Sequence, residues 1–322
     1  MNPGAAPPSL HGYVTVLGKC DWRDDNLPFE VHAVGPSASI NSPVHIWNVC
    51  AMCAESCLSD NASWCITGCM TTEIHRTPWP PDFPDVVVHM NLKARNRHPA
   101  YAAGKAGDAM AAYAFVTDVL NEESFKRVAA LMVGRKPLLA PVAAVEADGF
   151  NAIPDAMAQL LARNLGLPMA DYDLRQSNYV GHTGANGWLR LATPATFTGS
   201  VERGKDYLVI DDHVGLGGTL ANLHGYIETH GGRVIGMTTL TETAGGHKIS
   251  PRPETLSVLE GKHGQELNQF WHEVFGYPTA CLTDIEAGYL SRVESVAAIR
   301  TRLAQAATLA RGRGLSPVQF QP

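Results

Sequence analysis

One stretch of the sequence is the strongest indication of the fold: Asp206-Tyr-Leu-Val-Ile-Asp-Asp-His-Val-Gly-Leu-Gly-Gly-Thr-Leu220. Its apolar run Tyr207–Ile210 predicts a buried strand that ends in two adjacent carboxylates, Asp211 and Asp212. A glycine-rich turn follows, and a helix is predicted over Gly218–Thr229. Such a turn presents backbone N–H groups to an anion, aided by the positive end of the helix dipole. The stretch therefore predicts a phosphate site beside carboxylates that can accept hydrogen bonds from two vicinal hydroxyls.

Strands and helices alternate on both sides of this turn. The strands are predicted at Asp85–Met90, Leu138–Val145, Met169–Leu174, Tyr207–Ile210 and Arg233–Leu240. The helices are predicted at Tyr101–Leu120, Ile153–Asn164, Gly218–Thr229, Gly264–Phe275 and Asp284–Ala310. The alternation predicts an α/β fold with a central parallel sheet of about five strands, flanked by helices. The polar stretch Arg175–Glu202 is predicted to be a long loop with room for a hairpin.

Local composition and the pattern of predicted elements divide the chain into three parts. We expect a Cys/Pro-rich accessory region at 1–84, a main domain at 85–310 and a tail at 311–322. Within the main domain, the core is expected at about 136–245 and a helical part at 246–310. The Pro-rich stretch Thr77–Pro84 cannot form a helix, so it is predicted to be a linker or an extended arm.

Composition narrows the function classes. The 322 residues are 45% hydrophobic and 17% charged with a net charge of −6, which argues against a nucleic-acid partner. Neither a membrane-spanning run nor a secretory signal is evident. The chain has seven cysteines, an odd number, and five of them crowd between Cys50 and Cys69. A secreted disulfide framework is therefore disfavoured, and a cytoplasmic location is expected.

The decisive stretch resembles the PRPP-binding motif of type I phosphoribosyltransferases: four apolar residues, two acids, a short loop and Gly-Gly-Thr. The resemblance extends over roughly residues 85–245. It implies that Asp211 and Asp212, the expected catalytic residues, hold the ribose hydroxyls of 5-phosphoribosyl-1-pyrophosphate (PRPP). It also implies a PRPP site that contains both acids and the loop residues His213, Val214, Gly215, Leu216, Gly217, Gly218 and Thr219. In two respects the motif departs from the family: Gly215 and Leu216 replace residues that many members carry, and a loop Asp used as general base has no counterpart.

The resemblance implies further parts of an active site. A pyrophosphate loop is expected at Ala147, Asp148, Gly149 and Asn151, where the nearby acids would require Mg²⁺. A flexible loop that closes over the leaving group would contribute Arg175, His182 and Arg190. A hood over the acceptor would involve Trp271, His272 and Tyr277. Homodimers are common in such a family.

The implied function is transfer of 5-phosphoribosyl from PRPP to a nitrogen acceptor, such as a nucleobase, with release of pyrophosphate. This makes the chain a glycosyltransferase of nucleotide metabolism. A PRPP- or nucleotide-sensing regulator with the same fold is the alternative. A third possibility is a partner-binding protein whose Cys-rich N-terminus carries the function.

Two other phosphate-binding motifs fit poorly. A dinucleotide fingerprint that began at Gly215 would need its third glycine at Leu220. Gly104-Lys105 lacks the upstream glycine of a Walker A loop. A structural alternative for Asp211 and Asp212 is a strand-end cap at the start of a helix.

The cysteines allow two interpretations. Cys50, Cys53, Cys65 and Cys69 have a spacing that permits a structural Zn²⁺ site, with Cys57, His45 or His75 as alternative ligands. Alternatively, Cys50, Cys53 and Cys57 lie at helical spacing and pack as small apolar side chains. Similarly, the basic cluster Lys93, Arg95, Arg97 and His98 either contacts an anion or is a solvated loop.

Overall fold

The computed structural model describes residues 73–146, 149–182 and 184–319, which belong to one compact unit. The cysteines of the predicted zinc site, Cys50, Cys53, Cys65 and Cys69, lie outside these residues. The strands are β1 (Val87–Val88), β2 (Leu138–Pro141), β3 (Val145–Glu146), β4 (Gly149–Phe150), β5 (Arg175–Gln176), β6 (Phe197–Thr198), β7 (Asp206–Val214) and β8 (Arg233–Glu242). The helices are α1 (Leu92–Arg97), α2 (Tyr101–Lys105), α3 (Ala109–Val119), α4 (Glu122–Met132), α5 (Ile153–Leu165), α6 (Gly187–Ala192), α7 (Gly218–Thr229), α8 (Pro253–Phe275), α9 (Asp284–Ser291) and α10 (Val296–Gly312).

A four-stranded parallel sheet in the order β1-β8-β7-β2 forms the centre of this unit. The predicted α/β class with helices around a parallel sheet is confirmed. The predicted fifth strand, Met169–Leu174, is wrong, because this segment makes only an isolated parallel bridge between Met169 and Leu139. Two small antiparallel pairs, β3-β4 and β5-β6, lie outside the sheet.

Strand β7 extends further than the sequence predicts. We expected it to end at Ile210, but the pairing with β8 continues through Asp211 opposite Thr239 to Val214 opposite Glu242. The β-branched residues of β8 pair well in a ladder, and they continue the sheet past the carboxylates. Asp211 and Asp212 are therefore part of the strand rather than of the turn that follows it.

The alternation of β7 side chains builds a core on each face of the sheet. Tyr207 and Val209 pack into the cluster under α7, while Leu208 and Ile210 pack into the cluster under α3 and α5. A third cluster around the fully buried Trp271 joins α8, α9 and α10. The first two clusters, one on each face of the sheet, explain why the central strands are continuously apolar.

Two predicted helices are each divided in the structure. Tyr101–Leu120 forms α2 and α3, because Gly107 has a φ of +105° and Asp108 caps α3 by accepting hydrogen bonds from two backbone N–H groups. Asp284–Ala310 forms α9 and α10, with Ser295 as the N-cap of α10. The predicted helix Gly264–Phe275 is the second half of α8, which has a kink at Gly264. The predictions for α5 and α7 are confirmed at nearly the predicted bounds.

Residues Glu73–Pro84, here called the strap, pack along the outer side of α7 without regular structure. The Trp79 ring stacks on His224 at 4.7 Å, and its indole N–H donates to the carbonyl oxygen of Leu282. The strap explains why α7 is buried on nearly all sides. Among the described residues, we find no helix that combines the length and apolar character needed to cross a membrane.

Candidate anion-binding site

The turn between β7 and α7 uses its glycines in three different ways. Gly217 has a φ of +84°, and a Cβ there would also collide with Ile249. A Cβ on Gly218 would lie 2.9 Å from Oε1 of Glu286. A Cβ on Gly215 would lie 3.2 Å from Nη1 of Arg190. The turn therefore needs glycine for its backbone conformation and for close approach to charged groups on both sides.

The start of α7 has the features of an anion site. Gly217 is the N-cap residue, and among the described residues no side-chain cap accepts a hydrogen bond from the first N–H groups of the helix. Because α7 is twelve residues long and well formed, its N-terminus carries a partial positive charge. The turn and Thr219 line a small cavity that is partly open to solvent. The cavity thus offers backbone donors to an anion.

Two further predicted side chains, His182 and Arg190, line the same cavity. Arg190 lies on α6 and donates to the carbonyl oxygens of Ala185 and His182, which brings its guanidinium to Gly215. His182 donates from Nε2 to the carbonyl oxygen of Thr193. Burial, followed by the charge of Arg190, lowers the pKa of His182 to about 4. Arg190 therefore adds a permanent positive charge to the cavity wall, and His182 adds a neutral imidazole.

Asp211 and Asp212 differ in their surroundings although both are buried. Asp212 accepts from Nζ of Lys105 at 2.9 Å and from the side-chain amide of Asn151 at 3.2 Å. Burial alone would raise the pKa of Asp212, but the charge and hydrogen bond of Lys105 lower it overall. By contrast, burial and then the charge of Asp212 raise the pKa of Asp211 well above its usual range. Of the two, Asp211 lines the cavity.

His213, the next residue of β7, also lines the cavity and is held through both ring nitrogens. Nδ1 lies 2.9 Å from the hydroxyl of Thr241, and Nε2 lies 3.3 Å from that of Thr243. Burial, followed by the charge of Arg95, lowers its pKa to about 4. The imidazole is therefore neutral at pH 7 and exchanges hydrogen bonds without adding charge.

The structure does not bring every predicted site residue to this cavity. Ala147 and Asp148 of the predicted pyrophosphate loop lie outside the described residues. Gly149 packs against the carbonyl oxygen of Ala106, whereas Asn151 reaches Asp212. Arg175 lines a different cavity together with Phe150 and Asp155. Within the described ranges, no group of three or more His, Cys, Asp or Glu side chains could hold a metal ion.

The predicted hood and the basic cluster are placed only in part at the site. Tyr277 lines the cavity, while Trp271 lies in the C-terminal core and His272 is exposed. Lys93, Arg95 and Arg97 form part of α1 rather than a loop. Of these, Arg95 donates to the hydroxyl of Thr241 beside the acidic pair.

Several residues at the site were missed by sequence reasoning. Lys105 lies in a stretch that does not match a Walker A loop, and in the structure it forms an ion pair with Asp212. Arg76 and Glu286 form a buried ion pair that lines the cavity behind the turn. The sequence Thr283-Asp-Ile-Glu286 matches a capping box. This local pattern predicts that the Glu286 side chain is held at the start of a helix. Nothing local marks Arg76, whose partners lie more than 140 positions away.

Comparison with known proteins gives two relatives. The chain is 42% identical to Protein TraN of Escherichia coli over 231 residues, which are 72% of this chain and 51% of that protein. It is 36% identical to an uncharacterized protein of Haemophilus influenzae over 152 residues, which are 47% of this chain and 34% of that protein. The matched part is thus about half of the length of the first relative and a third of the second. No family model matches the chain.

These comparisons correct the functional prediction. The named relative is Protein TraN and not a phosphoribosyltransferase, and no model of that family matches. The predicted membership of the type I phosphoribosyltransferases is therefore wrong, as are phosphoribosyl transfer, the glycosyltransferase class and the role in nucleotide metabolism. The alternative of a PRPP-sensing regulator has no support either. The geometry of the turn does not depend on that resemblance.

Proposed function

We propose that this chain binds a phosphate-bearing small molecule at the turn Gly215–Thr219. The observation that carries the proposal is the combination of an uncapped helix N-terminus with the Arg190 guanidinium at Gly215. Backbone N–H groups and a planar guanidinium are the donors that proteins direct at phosphate oxygens. Both face one cavity, so a single phosphate can use both.

The carboxylates extend the proposed ligand class to a phosphate ester that carries hydroxyl groups. Asp211 lines the cavity and its raised pKa favours the protonated form, which can donate to or accept from a hydroxyl. The neutral imidazoles of His182 and His213 add polar contacts without charge. Ribose 5-phosphate is a probe that carries both chemical features, and PRPP, which contains the same group, stays a proposed ligand.

Mg²⁺ is proposed as a companion of the phosphate ligand. Asp212 already accepts from Lys105 and Asn151, so the acidic pair alone is a poor cation site. A metal would therefore be bound mainly through phosphate oxygens.

The test is calorimetric titration with ribose 5-phosphate, with ribose as the neutral comparison. Arg190→Gln is expected to weaken binding of ribose 5-phosphate by about tenfold, because it removes a charged donor to phosphate. Arg175→Gln is the matched control, since this arginine belongs to the same predicted loop but lines another cavity. Equal affinity of wild type and Arg190→Gln, or the same loss in Arg175→Gln, would contradict the proposed site.

A second test addresses the acidic pair. Asp211→Asn combined with Asp212→Asn is expected to abolish binding of ribose 5-phosphate. The double variant removes both the carboxyl contacts to the ribose hydroxyls and the negative charge of the pair. Inorganic phosphate should still bind to the double variant, because the turn itself is unchanged. Undiminished binding of ribose 5-phosphate would exclude the carboxylates from the site.

The relationship to Protein TraN leads us to propose a role in conjugal transfer for this chain. The proposal rests on 42% identity over 231 residues of the chain. Deletion of its gene from a donor should lower transfer frequency, and expression of the wild-type chain should restore it. A donor that expresses Arg190→Gln should be restored less well than one that expresses Arg175→Gln. Unchanged transfer after deletion would reject this role.

We propose an accessory role for residues 1–84, with structural Zn²⁺ at Cys50, Cys53, Cys65 and Cys69, and a cytoplasmic, homodimeric protein. Metal analysis of the purified full chain tests the zinc site, and light scattering tests the dimer. One zinc per chain that is lost in a variant with Cys50→Ser and Cys53→Ser is the expected result.

A further inference from the structure

Arg76 of the strap uses all five of its N–H donors inside the protein. Nε donates to the side-chain oxygen of Asn222 on α7. Nη1 donates to the Cys281 carbonyl at 3.0 Å and to Glu286, while Nη2 donates to Glu286 and to the Gly218 carbonyl at 3.4 Å. One side chain therefore ties the first turn of α7 to the C-terminal helices.

Glu286 brings a buried carboxylate to the back of the anion-binding turn. Its oxygens lie 2.9 and 3.0 Å from the guanidinium nitrogens of Arg76, and both side chains are 3% exposed. It also accepts from the backbone N–H of Thr283 in the capping box of α9. A Cβ on Gly218 would lie only 2.9 Å from Oε1, so this charge is close to the place where an anion is proposed to bind.

Two carbonyl groups of the turn, those of Leu216 and Gly218, point toward side chains behind it. The Thr283 hydroxyl donates to the carbonyl oxygen of Leu216, and Arg76 donates to that of Gly218. In a trans peptide the C=O of one residue and the N–H of the next point in opposite directions. The N–H groups of Gly217 and Thr219 are therefore directed away from Thr283 and Arg76.

We infer that the buried Arg76–Glu286 pair is a positioning device that sets the anion affinity of the turn. Arg76 orients the peptide of Gly218 and neutralises the carboxylate that would otherwise repel the ligand. Neither residue is proposed to touch the anion. The inference rests on the proposed function, because it concerns the same turn.

The charge of the pair, rather than its packing alone, makes this inference testable. Removal of Arg76 leaves an unpaired carboxylate near the turn, whereas removal of the Glu286 charge leaves an unpaired guanidinium. Both variants lose stability, because a buried charge without its partner is costly. Their effects on anion binding have opposite signs, which a purely structural role does not predict.

The experiment is titration of the full chain with inorganic phosphate, with the free energy of unfolding measured in parallel. Arg76→Met is expected to weaken phosphate binding by about tenfold, and Glu286→Gln to strengthen it by about threefold, as expected for one charge at intermediate distance in a partly solvated site. Arg76→Met combined with Glu286→Leu removes both charges and should return the affinity to within about threefold of wild type. Arg252→Met is the control, since the largely exposed Arg252 pairs with Asp284 at the start of the same helix α9.

The outcomes separate the two proposals. Phosphate binding by wild type, with opposite shifts in the two single variants and recovery in the double variant, supports the inference. If Arg76→Met does not fold, the test depends on two other results: tighter phosphate binding by Glu286→Gln, and an affinity close to that of wild type in the double variant. Affinities that fall together with stability in all variants would overturn the positioning role alone. If the wild-type protein binds neither phosphate nor ribose 5-phosphate, the proposed function and this inference are both overturned.

Discussion

Asp211 and Asp212 are adjacent in the chain, yet their buried carboxyl groups have different partners. Lys105 and Asn151 stabilise the ionised form of Asp212, whereas Asp211 has a raised pKa because of burial and its neighbour's charge. Two like charges cannot both be stabilised at such close range. The pair therefore combines one structural anion with one group that favours its proton.

This difference predicts unequal effects of the two amide substitutions on stability. Asp211→Asn should leave the free energy of unfolding at pH 7 unchanged or slightly higher, because it replaces a carboxyl whose ionisation is disfavoured. Asp212→Asn should lower it by about 2 kcal/mol, because the ion pair between Asp212 and Lys105 is lost in a mostly buried site. Urea unfolding of both variants checks this, and equal losses would contradict the assignment.

Buried histidines predict how stability depends on pH. The pKa is lowered from 6.5 to about 4, first of all by burial, in His89, His182, His213 and His224. The folded state thus binds fewer protons than the unfolded state between these values, so stability is lost as the pH falls from about 7 toward 4. The loss at pH 5 is roughly 2 kcal/mol for a deeply buried histidine such as His224.

His224→Phe tests that linkage, since it keeps an aromatic ring under Trp79 and removes the titrating group. The difference in unfolding free energy between pH 7 and pH 5 should be smaller in this variant than in wild type. Asp211, whose raised pKa acts with the opposite sign, contributes equally to both proteins. An identical pH difference in the two proteins would show that His224 is not titrated on unfolding.

At the residue level, features with local causes could be predicted from the sequence. The spacing of Gly215, Gly217 and Gly218 after an apolar run identified the turn, and the structure gives each glycine a steric reason. Arg76 and Glu286 could not be predicted, because their pairing depends on how the strap and α9 fold against α7. Local patterns reveal a turn but not the distant residues that support it.

At the level of elements, helix α7 illustrates how a residue choice depends on its neighbours. Gly225 lies in the middle of the helix, where glycine is unfavourable by about 1 kcal/mol relative to alanine. A Cβ there would collide with the carbonyl oxygen of His75 in the strap. The strap can therefore approach the helix backbone only at this glycine.

A matched pair of substitutions checks this explanation. Gly225→Ala should lower the free energy of unfolding, by about 1–3 kcal/mol as for other overpacked sites. Gly261→Ala in α8 should raise it by about 0.5–1 kcal/mol, because nothing lies within 4 Å of the added methyl group. Thermal unfolding measures both, and stabilisation by Gly225→Ala would mean that the strap does not pack as described.

Element boundaries were predicted unevenly for a physical reason. The end of α5 was foreseen, since Gly166 adopts the left-handed conformation that terminates helices. The break in Tyr101–Leu120 was missed, because its alanine-rich pattern remains helical on both sides of Gly107 and Asp108. The break is what places Lys105 at the end of α2, next to Asp212.

At the scale of the whole molecule, the strap links the helix behind the site to the C-terminal helices. Trp79 stacks on His224 of α7 and donates to the carbonyl of Leu282, just before α9. Trp79→Phe should cost about 1 kcal/mol through the lost hydrogen bond, and Trp79→Ala about 3 kcal/mol through the lost packing. Equal stability of Trp79→Ala and wild type would show that the strap contributes nothing to the unit.

The overall architecture followed from the sequence more readily than the function did. Alternating apolar strands and helices fixed the α/β class, while the edge segment at Met169 was too weakly paired to form the expected strand. A phosphate turn is a local solution that unrelated proteins share. The family resemblance built on it was therefore wrong even though the turn formed where it was predicted.

Phosphate binding at the turn Gly215–Thr219 is tested most directly by the response of individual backbone amides to ligand. In protein labelled with ¹⁵N-glycine, titration with ribose 5-phosphate should shift the amide resonances of Gly217 and Gly218 in a saturable manner. Gly261 and Gly276, in and after α8, should not respond. Ribose without phosphate should leave all of these resonances largely unchanged. The absence of any shift at Gly217 and Gly218, or equal shifts with ribose, would contradict phosphate binding at this turn.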